Sequence, residues 1–349
     1  MVEHFRSLRL TESAVRRVVS DCRDEWTVTG VDGIPGSANS LYAVDLSSAN
    51  RERTVICKCS QNTAPVAFRP EPYLLEAISR RTTVPVPAVL AVVEDDSEDA
   101  GPLFVMEQCD GEGVATRARE LEPAIRERIA RDAGRYLGQI HDLGSFDRFG
   151  AVRLGRDVDH NGSGLETPNV TLTVAENAHD EWADALVGLA TFFLSNLDDR
   201  FVDLEGPIRK TLDERCDVLN DPNPVLMHDE YTYWNTLVDP NTGETTAVLD
   251  FEDQQVGCAE YDLAAAIDSL SALAPLGSAR RRRVRDAVYE GYEETNGLIR
   301  DSAFAARRDL YRLVARLPML AFFKSGMVVG PDSPETLVRE HRAFLSELL

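Results

Sequence analysis

Three oxygen-bearing side chains, Glu230, Asn235 and Asp250, stand close together in a chain otherwise poor in obvious reactive motifs. They lie in Val225-Leu226-Met227-His228-Asp229-Glu230-Tyr231-Thr232-Tyr233-Trp234-Asn235-Thr236-Leu237-Val238-Asp239 and in Ala247-Val248-Leu249-Asp250-Phe251-Glu252. Phosphoryl transfer needs a carboxylate near the acceptor hydroxyl, an amide or carboxylate on one metal ion, and a second carboxylate between metal and phosphates. Glu230, Asn235 and Asp250 supply those types in that order. A β-hairpin whose polar loop caps its own backbone groups accounts for the same residues more plainly.

Lys58 is the second chemical feature. The chain has only three lysines, Lys58, Lys210 and Lys324, and Lys58 sits beside the apolar run Val55-Ile56-Cys57. A lysine is a compact point charge that can meet phosphate without the planar fork of arginine. A strand lysine reaching out to solvent is the simpler reading. Upstream, Pro35-Gly36-Ser37-Ala38-Asn39-Ser40 is a small-residue turn whose N–H groups could approach phosphates, although an ordinary hairpin uses the same residues. Downstream, a helix beginning near Glu71 could supply a carboxylate to hold Lys58; a first-turn glutamate is also what the helix dipole favours.

The elements that must position these residues follow from periodicity. Thr11 is a plausible cap for a helix carrying Ala14, Val15, Val18 and Val19. Residues 26–30, 40–46 and 54–59 read as strands, and Cys57 and Cys59, two apart, fall on the strand face opposite Lys58. A helix spans about 71–80, Val84-Pro85-Val86-Pro87 forces extended chain, and strands recur at 89–93 and 103–106. Beyond Asp110-Gly111-Glu112-Gly113 the pattern turns helical, at 125–141, 182–197 and 261–273, interrupted by short strand-like pieces between 225 and 250. The expectation is an α+β chain of two lobes: a small antiparallel-sheet lobe over 1–106, a hinge at 107–113, and a larger, mostly helical lobe over 114–349.

With these residues in place, the sequence resembles the aminoglycoside phosphotransferase and choline kinase family, which is protein-kinase-like in fold. His228, Asn235 and Asp250 match its H-x-D-x-x-x-x-N loop and the following aspartate, and Val256-Gly257 to Tyr261-Asp262-Leu263-Ala264 continues the likeness. Gly36 to Tyr42, Val84 to Pro87, Met106-Glu107 and Leu137 to His141 extend it, so that it spans roughly residues 25 to 265. The resemblance implies a γ-phosphoryl transfer from Mg²⁺-ATP to a hydroxyl of a small molecule. It implies that Lys58, paired with Glu71, contacts phosphates under a cover of Gly36, Ser37, Asn39 and Ser40, and that Glu107 belongs to the segment leading into the nucleotide-binding hinge. Asn235 and Asp250 then hold Mg²⁺, Glu230 orients the acceptor and takes its proton, and His228 supports the loop. One departure stands out: the family's catalytic aspartate is Glu230 here, preceded by Asp229. Either carboxylate could serve, or the protein could be a nucleotide-binding pseudokinase with a regulatory role. The resemblance leaves the acceptor open; Tyr231, Tyr233 and Trp234 could wall a cationic one or pack into the core.

Composition narrows the remaining classes. The 349 residues carry 37 Lys plus Arg against 59 Asp plus Glu, a formal charge of −22, which argues against nucleic acid as the main partner. The run Arg280-Arg281-Arg282-Arg283 reads as a solvated helix face. Self-repulsion of this size suits a molar-salt cytoplasm such as that of a halophilic archaeon. No apolar stretch reaches the length needed to cross a bilayer, and the start of the chain lacks the apolar core of a secretory signal, so a cytoplasmic protein is expected. The six cysteines lack paired spacings and read as small hydrophobes rather than zinc ligands or a disulfide framework.

Overall fold

The computed structural model describes residues 10–35, 39–48, 51–94, 101–155, 163–219, 221–323 and 333–349. The chain opens with α1 (Glu12–Asp21), whose N-terminus is capped by Thr11 Oγ1 accepting from Ala14 N–H at 3.3 Å. Its buried Val15 and Val19 meet the strands that follow, β1 (Thr27–Ile34), β2 (Ser40–Ser48) and β3 (Arg51–Cys59). After the short α2 (Pro65–Phe68) and α3 (Glu71–Arg81) come β4 (Val89–Val93) and β5 (Leu103–Glu107). The five strands form one antiparallel sheet in the order β1-β2-β3-β5-β4.

Register decides which face each side chain takes. Lys58 pairs with Leu41 on one side and Phe104 on the other, in the middle of the sheet. Cys57 and Cys59 point to the opposite face and are fully buried with Trp26, Val44 and the valines of α1. All six cysteines are free. The lysine is thereby forced toward α3, where the only offset for a buried ammonium is a carboxylate.

The remainder is built on helices, with strands threaded between them. A two-residue strand β6 (Glu112–Gly113) precedes α4 (Pro123–His141). The strands β7 (Gly150–Gly155), β8 (Leu165–Glu166) and β9 (Thr171–Val174) lead to α5 (Trp182–Leu194) and α6 (Glu205–Arg215). Then come β10 (Val225–Leu226), β11 (Thr236–Val238), β12 (Thr245–Val248) and β13 (Gln255–Gly257), followed by α7 (Ala259–Ser271), α8 (Ala279–Glu293), α9 (Phe304–Ala315), α10 (Leu317–Ala321) and α11 (Pro334–Ser346).

Two small sheets hold the loops of the site: β10-β13-β7-β9-β8, and β12-β11-β6. The strands β7 to β9 and β13, of two to six residues, carry no alternating pattern that marks them in the sequence and are found only in the fold. The end of the expected hinge is itself a strand, with Glu112 and Gly113 paired to Val238 and Leu237 beside the loop that carries Glu230. One apolar core crosses that boundary, joining Phe68, Leu74, Ile78 and Phe104 to Leu137, Phe251 and Val288. Arg281 differs from the solvated face expected of its run: it turns inward, donates to the Ala274 carbonyl at 2.8 Å and lies 3.5 Å from Asp268.

Candidate active site

Lys58, from the middle of β3, is 4% exposed and reaches three carboxylates. Its Nζ lies 2.8 Å from Glu71 Oε2, 2.9 Å from Asp250 Oδ1 and 2.9 Å from Glu252 Oε2. Glu71 is at the first turn of α3, where it also accepts Phe251 N–H at 3.2 Å. Both readings of this residue from the sequence therefore hold: it is a first-turn glutamate and it grips the lysine. Burial alone would lower the Lys58 pKa, but Glu71, Asp250 and Glu252 outweigh it and hold the ammonium charged. Three carboxylates on one cation leave negative charge in excess. Burial, with Asp250 and Glu252 adding to it against Lys58, pushes Glu71 up to about 7.

Asp250 follows β12 with φ +69° and Asp229 has φ +65°, a left-handed conformation that aspartate tolerates better than most residues. Such turns aim the side chain away from the strand that carries it. At Asp250, burial raises the pKa but Lys58 more than offsets it, so the carboxylate stays below its ordinary value. Phe251 points the other way, fully buried, with its ring 4.7 Å from that of His228.

The loop between β10 and β11 is fixed from beneath. Asp262, at the start of α7 and fully buried, accepts His228 N–H at 2.8 Å and Asp229 N–H at 2.9 Å. The same carboxylate pairs with His141 Nε2 at 2.9 Å, and His141 Nδ1 meets the Tyr292 hydroxyl at 3.1 Å. Burial would raise the Asp262 pKa, yet its hydrogen bonds from His141 and the loop keep it lowered. His228 lies 3.2 Å from the Leu249 carbonyl through Nε2, and burial pushes its pKa down, which fits a supporting ring rather than a proton carrier.

Glu230 emerges from this loop toward solvent, and Asn235 Nδ2 donates to its carbonyl at 3.1 Å. Crowding by protein atoms, then Asp250, Glu252 and Asp253, raises its carboxyl to about 7. Asp229 is pushed further, to about 8, by burial and then by Asp262, Glu230 and Asp253. Tyr231 and Tyr233 are core residues at 1% and 5% exposure; Trp234, 53% exposed, is the one aromatic of the three that faces outward.

The structure thus brings together Lys58, Glu71 and Asp250, and places Glu230 beside Asn235. Asn39, 2% exposed, contributes through its side chain: Oδ1 accepts Gln61 N–H at 2.7 Å and Asn62 N–H at 3.2 Å, while Nδ2 donates to Glu252. Ser40 Oγ donates to Gln61 Oε1. Gly36 and Ser37 lie outside the described residues. Glu107 is not drawn into the cluster: it pairs with Val55 at the end of β5, three residues along the strand from the Lys58 level, or about 10 Å. Its side chain is exposed, and its N–H donates to the Ala88 carbonyl at 2.9 Å. Glu252, Thr63, Asp262 and His141 had no role assigned from the sequence. Asp262 and His141 carried a signal in that they stand in stretches of the resemblance; Glu252, two residues beyond a left-handed turn, and Thr63 carried none.

As to metal, the described residues contain no cluster of three or more His, Cys, Asp or Glu that could hold an ion by themselves. Asn235 donates through Nδ2 and Asp250 meets Lys58 through Oδ1, leaving Asn235 Oδ1 and Asp250 Oδ2 to ligate. Two hard oxygen donors suit Mg²⁺, which completes its shell with waters and substrate phosphates instead of an all-protein cage.

Residues 33–307 match the model of the phosphotransferase enzyme family. No curated protein matches. Among solved structures, a proposed aminoglycoside phosphotransferase from Ralstonia eutropha JMP134 is similar at 16% identity and a TM-score of 0.63, covering 97% of each chain. A thermostable mutant of aminoglycoside phosphotransferase APH(4)-Ia, in ternary complex with ADP and hygromycin B, is similar at 16% identity and a TM-score of 0.60, over 95% of this chain and 98% of that one. A mutant aminoglycoside 2'-phosphotransferase-IIIa bound to GDP has 12% identity and a TM-score of 0.58, over 97% of each. Those similarities establish the shared kinase-like fold.

Proposed function

Since the chain belongs to the phosphotransferase enzyme family, we propose that it moves the γ-phosphoryl group of Mg²⁺-ATP to a hydroxyl of a small molecule. The observation that carries this reading is the meeting of Glu71 and Asp250 at the Lys58 ammonium, Asp250 coming from 192 positions away in sequence. In this reading residues 1–106 form the nucleotide lobe, 107–113 the hinge with Glu107 at the nucleoside end, and 114–349 the acceptor lobe. Lys58 binds the α and β phosphates, Glu71 orients it, and the backbone of Gly36 to Ser40 covers the phosphates. Asn235 and Asp250 would hold Mg²⁺, which when bound would offset the negative charge on the phosphate oxygens.

Glu230 orients the acceptor hydroxyl and receives its proton as the acceptor oxygen bonds to the γ phosphorus; the bond to the β-bridging oxygen breaks and ADP leaves. A carboxyl near neutrality is well matched to that task. Asp229 is the lesser candidate, because its N–H is tied to Asp262 beneath the loop while Glu230 is exposed beside Asn235. Trp234 beside Glu230 supplies an aromatic face to the acceptor, and the surplus of carboxylates there favours a cationic one, as hygromycin B bound by the APH(4)-Ia relative would be. The second reading, a nucleotide-binding regulatory module, is favoured by the extra methylene that Glu230 places at the reacting position.

The test is incubation with Mg²⁺, γ-labelled ATP and a panel of aminoglycosides and amino alcohols. A labelled product lost in Asp250→Asn supports the enzyme. Glu230→Gln should lose at least about a hundredfold in kcat while nucleotide still binds. Nucleotide binding without product from any acceptor favours the regulatory module, and turnover retained in Asp250→Asn removes the metal assignment.

A further inference from the structure

An ammonium has three N–H donors, and at Lys58 they face three separate carboxylates. If Lys58 is the phosphate-binding lysine, the premise on which this inference rests, an arriving phosphate oxygen must take a donor from one of them. The three are not equally free to leave. Glu71 has both oxygens within 2.9 Å of Nζ, is 2% exposed and is held as well by Phe251 N–H. Asp250 is fixed by a left-handed turn of its own backbone and has no second protein donor among the described residues. Moving Glu71 away would leave a carboxylate with nowhere to go in a low-dielectric site, and Asp250, its side chain 36% exposed, would exchange the lysine for water alone, with no protein seat to receive it among the described residues.

Glu252 is different because a second seat is already built around it. Its Oε1 accepts from Thr63 Oγ1 at 3.0 Å, and its Oε2 accepts from Asn39 Nδ2 while also meeting Lys58. The seat is rigid. Asn39 Oδ1 accepts the N–H groups of Gln61, Asn62 and Thr63, at 2.7, 3.2 and 3.4 Å, so the Asn39 amide cannot turn away. Thr63 donates to Glu252 from the loop that follows β3. With Lys58 gone, Glu252 would still have two hydrogen bonds and some solvent, its side chain being 14% exposed.

We propose that Glu252 is the exchange partner of Lys58: a positioning residue that occupies the third donor of the lysine and yields it to a phosphate, retreating onto Asn39 and Thr63. The carboxylate sets the threshold for nucleotide binding, since a ligand must outcompete it. It also couples phosphate arrival to the contact between the β2–β3 side of the sheet and the segment after Asp250. A nucleoside without phosphates displaces nothing and escapes this threshold.

The experiment is calorimetric titration of ADP and GDP, and of adenosine and guanosine, into wild type, Glu252→Gln and Thr63→Val in EDTA. Glu252→Gln, which keeps the shape and loses the charge, should bind a nucleoside diphosphate about tenfold more tightly with nucleoside affinity unchanged. Thr63→Val, which weakens only the seat, should bind the diphosphate a few-fold more weakly, again with nucleoside unchanged. Equal or weaker diphosphate binding by Glu252→Gln overturns the exchange, as does an equal shift for nucleoside and diphosphate, which marks a merely structural role. Should Glu252→Gln not fold, Thr63→Val decides in the same way. Failure of the wild type to bind any diphosphate, with or without Mg²⁺, overturns the phosphate-lysine reading itself and the exchange with it.

Discussion

Asp262 shows how much one buried carboxylate can organise. Two oxygens receive three donors, from the backbone of His228, the backbone of Asp229 and the His141 ring, so one side chain ties down both residues that precede Glu230. Charge-assisted bonds of this kind are strong, and leaving a buried donor unmet costs about 1–3 kcal/mol. Asp262→Asn preserves the shape but replaces one acceptor oxygen with an NH₂ group that opposes a donor. We expect it to lower stability by roughly 2–4 kcal/mol in denaturant titration. In any phosphotransfer assay it should lower kcat more than it raises the KM for nucleotide, because Lys58 and Glu71 are held by other elements. A variant with wild-type kcat would show that Asp262 braces the core and not the loop.

At the level of elements, α4 and α8 press their backbones together. A Cβ on Gly134 would lie 1.9 Å from the Val288 carbonyl oxygen, and one on Gly291 would lie 1.9 Å from the Arg131 carbonyl oxygen. Two rigid backbones cannot yield as a flexible side chain would, so glycine is required at both positions by approach and not by dihedral angle. The crossing has a consequence for the site, since α4 ends at His141 and α8 carries Tyr292, the two rings that meet behind Asp262. Gly134→Ala is expected to cost about 1–3 kcal/mol or more in thermal or denaturant unfolding. Gly206→Ala in α6, where nothing lies within 4 Å of the added methyl, should be neutral or slightly stabilising, and supplies the control. Equal stability of the two variants would refute the close crossing.

For the whole molecule the governing quantity is the net charge of −22. Arginine–carboxylate pairs such as Arg128–Glu244 and Arg342–Asp203 dress the surface, but exposed pairs contribute little and cannot cancel so large an excess. The expectation of a salty environment rests on this composition alone. Raising KCl from about 0.2 M to about 3 M shortens the screening length to a few ångströms and should raise the melting temperature of the protein. A melting temperature that is flat or falls over this range would separate the acidity from salt adaptation. No helix among the described residues is long and apolar enough to cross a membrane.

Local order along the chain is what the sequence determined by itself. The strands at β2, β3 and β5, the helices α3 and α4, and the placement of Cys57 and Cys59 opposite Lys58 all follow from periods of two and 3.6 residues, which are properties of neighbours. Lys58, Glu71, Asn235 and Asp250 could be singled out as candidates because phosphoryl transfer draws on few residue types and their order is visible in one dimension; that Lys58, Glu71 and Asp250 meet is what the fold adds. Only the tertiary structure decided what meets what. It sent Tyr231 and Tyr233 into the core while leaving Trp234 outside, kept Glu107 apart from the lysine, and brought Glu252, Thr63 and Asn39 to a common point. Those outcomes depend on sheet register, on left-handed turns at Asp229 and Asp250, and on a core that joins Phe68 and Phe104 to Leu137, Phe251 and Val288. Contacts between residues about two hundred positions apart leave no periodic trace, because the physics that joins them acts through space after the chain has folded.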